Sequence, residues 1–97
     1  MLDVDMAKLE LKRKTLADIH TETAWKWASR AVAAYQLSRA LSGSNRAIKF
    51  CEAREYESEA REHASQVNAD LVDKIKDAID QHLVDALLDM VDESKGK

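Results

Sequence analysis

The side chains best suited to metal or nucleophilic chemistry are His20, His63, His82 and the single cysteine, Cys51. Glu59 and His63 lie four residues apart, and His82 and Asp85 lie three apart. Each pair shares a face of a helix. Carboxylate–histidine pairs on bundle helices build di-metal centres, but that chemistry needs Glu-x-x-His on two helices and two further inward glutamates. The sequence contains no Glu-x-x-His. The histidines therefore read as surface or boundary residues, with no metal expected. Cys51 precedes Glu52, whose charge opposes thiolate formation, so a buried structural cysteine is expected. Gly43 stands alone, and no glycine-rich phosphate loop surrounds it. With no loop to build a cleft, no catalytic residue and no cofactor is expected, and the chain does not read as an enzyme.

A second chemistry lies in residues 23–51. No acidic residue occurs there, while Lys26, Arg30, Arg39, Arg46 and Lys49 are basic. Trp25, Trp27, Tyr35 and Phe50 are interleaved with them. Cations attract phosphate and aromatic rings stack on bases, so these five cations are the candidate nucleic-acid contacts. Against this stand a sequence pI near 5.6 and the lack of any DNA-binding signature. The ordinary account puts the aromatics in the core and the cations against glutamates.

The elements that must position these groups are helices. The chain of 97 residues has no proline and two glycines, Gly43 and Gly96. Proline breaks helix interiors, so long helices are permitted, and the Ala, Leu, Glu, Lys and Arg content favours them. The net charge of −3 is uneven, with +4 over residues 1–49 and −7 over residues 50–97. The opening Met-Leu-Asp-Val-Asp lacks the basic-then-apolar order of a signal peptide, and no apolar run reaches the ~20 residues of a membrane span. The lone cysteine suits a reducing compartment. The expected address is the cytoplasm, without membrane contact.

Ser42-Gly43-Ser44-Asn45 is the clearest punctuation, since glycine ends helices and Ser or Asn caps the next one. The pattern predicts an all-α fold, an antiparallel helical hairpin or four-helix bundle. Helices are expected near 3–19, 22–42, 45–67 and 69–93, the first two and last two being open to fusion. Leu2, Met6, Leu9, Leu16 and Ile19 form a stripe in the first, interrupted at Arg13. Residues 24–41 are apolar on more than one face, so this helix should touch at least two neighbours. From Tyr56 to Met90 a second stripe recurs every three or four residues. Asn68 is a good N-cap, with Asp70 suited to the first turn and Val67 and Val72 to a hydrophobic staple. Residues from Glu93 onward read as a fraying tail.

Folding back at residue 43 would set Arg30 level with Glu57 and bring the basic and acidic segments together across the hairpin. Such a chain is small for its apolar faces, so completion by self-association is expected, a dimer most simply. The interface residues expected are Trp25, Trp27, Val32 and Tyr35, with Ile79, Leu83 and Leu87 as a second group. Tyr56 to Ala60 is similar to the middle of a tetratricopeptide repeat. However, Ile48 stands where that repeat needs a small residue, and Ala53-Arg54-Glu55 offers no turn, so no family is assigned. The function expected is that of a helical interaction or assembly protein, a scaffold or adaptor working through helix faces. The alternative is a nucleic-acid-binding accessory protein.

Overall fold

The structure, a computed structural model, describes the backbone of residues 2–95 and the side chains of residues 16–93 and 95. Three helices account for nearly all of it: α1 (Leu2–Ala40), α2 (Gly43–Ser65) and α3 (Ala69–Lys95). This is three-helix packing and not a four-helix bundle. The two helices expected before residue 42 are one, and Thr21, midway along it, starts no new helix. Its hydroxyl instead donates 2.8 Å back to the Ala17 carbonyl, a bond that fits inside a continuous helix. The side chains of Leu2, Met6, Leu9 and Arg13 lie outside the described residues.

The later break does occur. Asn68 Oδ1 accepts the Leu71 backbone N–H at 2.7 Å, which satisfies one of the orphan donors at the start of α3. Asp70 stands in the first turn, as the helix dipole favours. At the other end α3 is helical to Lys95, beyond the fraying expected from Glu93.

All three helices touch one another, and the α1–α2 pair makes the most extensive contact. His20 lies across from His63 and Trp27 across from Tyr56, which fixes an antiparallel register about residues 41–42. Arg39 reaches Asp85 and Asp89, so α3 returns parallel to α1, with its C-terminal half beside the α1–α2 turn. The molecule is a rod of 72 × 20 × 14 Å. Among the described residues no helix is long and apolar enough to cross a membrane.

The α1–α2 seam is built from small residues. Ala24, Ala28, Ala31, Tyr35 and Ser38 are buried on α1, at steps of four and three. Ala53, Glu57, Ala60 and Ala64 answer them on α2 with the same spacing. Alanine at facing positions lets two helices approach closely and gains dispersion contact along their length. The bulky apolar side chains come mainly from α3, where Leu71, Ile75 and Ile79 are buried. Each contributes roughly 1.5–3 kcal/mol by leaving water. Helix α1 thus has two neighbours, as its two-sided pattern requires.

Gly43 has φ +61°, the left-handed value expected at this turn. The cap of α2 differs from expectation. Ser42 is extended and its hydroxyl makes no capping bond. The Gly43 N–H donates instead to Glu93 Oε1 at 2.7 Å, from the far end of α3. A carboxylate at a helix N-terminus also meets the positive end of the dipole. Arg46 completes this junction. Its Nε donates to the Ser38 carbonyl at 3.0 Å and its Nη2 to the Arg39 carbonyl at 3.1 Å. Its Nη1 donates to the Asp89 carbonyl at 3.2 Å and to Glu93 Oε2 at 2.8 Å. One guanidinium therefore satisfies the last carbonyls of α1 and ties α2 to α3.

Candidate functional site

Helix α3 carries apolar residues on two opposite faces in its second half. Leu83 and Ala86 turn inward, with Ala86 1% exposed. Val84, Leu87, Leu88 and Val91 point out, at 47, 44, 57 and 45% exposure. Their spacing of three, four and seven residues is that of one helix face, so they form a continuous stripe. Leu87 is grouped with Ile79 and Leu83 as an expected interface residue. The structure buries Ala86, which the three-or-four-residue stripe from Tyr56 to Met90 also includes, and puts Leu87 outside. Further apolar side chains are exposed singly or in pairs: Leu16, Ile19 and Leu37 on α1, and Ile48 on α2.

The expected interface residues divide. Tyr35 and Ile79 are fully buried in the chain's own core, so neither has surface to offer a partner. Trp27, Val32 and Leu83 are half-buried against that core. Only Trp25 and Leu87 of the seven are exposed. Trp25 borders a shallow groove with Val32, Gln36 and Ala78 between α1 and α3.

The candidate nucleic-acid contacts divide as well. Arg46 is committed to the junction above. Arg39 Nε donates to Asp89 Oδ2 at 2.7 Å, and its Nη1 lies 3.7 Å from Asp85. The pairing with Asp89 holds the Arg39 guanidinium above its usual range. Lys49 Nζ bonds Glu52 Oε2 at 3.0 Å. Arg30 lies over the Trp27 ring at 4.9 Å, a cation–π contact. Lys26 and Arg30 are exposed on α1. The charge pairing expected between α1 and α2 is absent from the described ion pairs. The bridges of Arg39 and Arg46 go to α3, and the others lie within single helices. The physical reason is that the seam residues of α1 are uncharged, mostly alanines with Tyr35 and Ser38. The cations of α1 stand on its other faces.

Glu57 is the buried acid of that seam, 5% exposed. Tyr35 donates its hydroxyl to Glu57 Oε1 at 2.9 Å, while Arg54 and Arg61 approach Oε2 at 3.5 and 3.4 Å. Burial pushes the Tyr35 hydroxyl well above the usual tyrosine range, and the adjacent Glu57 carboxylate adds to this through its hydrogen bond and charge. Phe50 meets the Tyr35 ring edge-on with centroids 5.5 Å apart. On the flank, Tyr56 donates to Glu52 Oε1 at 2.8 Å. Hydrogen bonds from Lys49 and Tyr56 hold Glu52 below the usual carboxylate range, and the same Glu52 bond raises Tyr56. Trp27 packs on Tyr56 with centroids 5.6 Å apart. These groups satisfy one another and leave no buried side-chain polar atom unpaired among the described residues.

Two chemical placements depart from expectation. Cys51 is exposed on the outer face of α2, beside Ala47, Ile48, Glu52 and Glu55. Phe50 and Ala53 take the inward positions that would have buried it. His20 and His63, read singly as surface or boundary residues, meet across the α1–α2 pair with Nδ1 atoms 3.3 Å apart. The antiparallel register about residues 41–42 brings them together, and that register was the signal that could have found them. Among the described residues no group of three or more His, Cys, Asp or Glu side chains is arranged to hold a metal ion. Comparison with protein-family models, with curated proteins and with solved structures finds no match to this chain.

Proposed function

We propose that the protein is a non-enzymatic helical interaction module, a scaffold or adaptor that works through a helix face. The observation that carries this reading is the outward stripe Val84, Leu87, Leu88 and Val91 on α3. The same helix already has an inner apolar face against α1 and α2, so the fold does not need the outer one. Four large aliphatic side chains in one run form an exposed patch on the order of a few hundred Å², comparable to the largest apolar patch of a typical monomer, which is often functional. A helix face of this spacing accepts another helix or an apolar groove.

The test is a comparison of wild type with an L87D/L88D variant. Both residues are exposed, so the variant is expected to match wild type in helical circular dichroism and in melting temperature. Each protein is immobilised and offered a cell extract as well as its own chain. The reading requires at least one species, its own chain included, that wild type retains and the variant releases. Identical retention by both proteins would remove it.

A further inference from the structure

We infer that the occupant of the α3 stripe is a second copy of this chain, packed antiparallel about a two-fold axis between Leu87 and Leu88. The inference rests on the interaction reading above and names its partner. The stripe is symmetric about that point. A two-fold axis there places Val84 of one copy level with Val91 of its partner, and Leu87 level with Leu88. An interface of this kind is self-complementary, because each contact is made twice.

Charge selects this arrangement over the parallel one. Toward its N-terminus the outer face of α3 is acidic, with Asp73, Asp77 and Asp80; past the stripe stands Lys95. Among the described residues neither Asp80 nor Lys95 takes part in an ion pair within the chain. The axis through Leu87 and Leu88 sets Asp80 of one copy level with Lys95 of the other. A parallel pairing in register would instead set Asp73, Asp77 and Asp80 each against its own copy, which like charges oppose. The patch is smaller than the ~800 Å² per partner of a standard interface, so the dimer belongs to the weak, transient class.

The experiment is sedimentation equilibrium of the full chain from about 5 µM to 1 mM, on wild type, L88D, D80K, K95D and D80K/K95D. Wild type is expected to dimerise and L88D to remain monomeric. Each single charge reversal is expected to weaken the dimer by about three- to tenfold per the two symmetric pairs. The double reversal restores both pairs and is expected to return Kd to within about twofold of wild type. A rescue of this kind does not follow from general damage to the fold. A dimer that L88D abolishes while the charge variants leave it unchanged overturns the antiparallel pairing. A dimer that L88D leaves intact overturns the assignment of this face. If wild type stays monomeric to 1 mM, the second copy is excluded, and the L87D/L88D retention test then separates a different partner from the failure of the interaction reading itself.

Discussion

The Arg46 guanidinium and the Glu93 carboxylate, 2.8 Å apart, close the molecule at the point where its three helices meet. Glu93 is shared between Arg46 and the Gly43 N–H, and Arg46 reaches the Ser38, Arg39 and Asp89 carbonyls besides. The Arg46 side chain is 14% exposed, so these bonds are formed largely away from water. Truncation to alanine removes the charged donor that the Arg39 carbonyl and the Glu93 carboxylate share, and it cuts the tie between α2 and α3. R46A is expected to lose about 2–4 kcal/mol of unfolding free energy, measured by urea denaturation. R46K keeps the charge but not the planar fork, and is expected to recover less than half of that loss. E93Q keeps an acceptor for the Gly43 N–H and is expected to cost about 1 kcal/mol. Equal stability of R46K and wild type would show that charge alone holds the junction.

Tyr35 and Glu57 form the second such link, inside the α1–α2 seam. Y35F removes the donor from a buried carboxylate and is expected to cost about 1–3 kcal/mol. The same bond makes the fold sensitive to alkali. Burial and Glu57 raise the Tyr35 hydroxyl in the folded protein, so the folded state keeps a proton that the unfolded chain gives up. The stabilisation is complete below the ordinary tyrosine value near 10 and declines as pH rises beyond it. Tyr56 is raised as well, through Glu52. Phenolate absorbance of the native protein is therefore expected to lag behind that of the urea-unfolded chain. Superposed titration curves would contradict the buried bond.

Much of this architecture is legible in the residues. The lack of proline, the turn at Gly43 and the cap at Asn68 each act over a few neighbouring positions, so each can be read locally. The stripe Leu71, Ile75, Ile79 is large and apolar, and its inward direction follows from spacing. The α1–α2 seam was harder to read because its residues are mostly alanine, whose small apolar surface gives little contrast between faces. The four-three spacing of Ala24, Ala28, Ala31, Tyr35 and Ser38 is present, but the larger Trp25 and Leu37 carry more apolar surface on other faces. The Glu93 cap and the His20–His63 contact depend on residues about 43–50 positions apart. Such contacts follow from register, and register becomes definite only once the helices have packed. The outer stripe on α3 was half visible. Leu87 alone of the four is marked by its spacing as a candidate for contact, and the structure leaves it exposed; Val84, Leu88 and Val91 carry no such mark, because the inner stripe already accounts for the helix.

The alanine seam itself can be tested by enlarging it. Ala31 and Ala60 are fully buried, one on each helix of the pair. A leucine at either position must push the two helices apart or adopt a strained rotamer. A31L and A60L are each expected to destabilise by about 1–3 kcal/mol, against less than 0.5 kcal/mol for a control A33L on the exposed face of α1. Stability of A31L equal to that of A33L would mean that α1 and α2 do not approach as closely as described.

The remaining cations set a limit on nucleic-acid binding. Arg39, Arg46 and Lys49 already hold carboxylates, so a phosphate would have to displace them. Lys26 is exposed on α1, and Arg30, though stacked on Trp27, presents its charge to solvent nearby. Each cation that neutralises a phosphate adds about 0.9 to the slope of log affinity against log salt on duplex DNA. Two cations therefore allow a slope near 2, and all five would give one near 4.5. Binding of a mixed duplex is expected to be weak at low salt, with a slope of about 2 or less that falls further in K26E. A slope above 4 that drops in R39A and K49A would show that phosphate opens the ion pairs, and would make the basic stretch, and not the α3 stripe, the working surface.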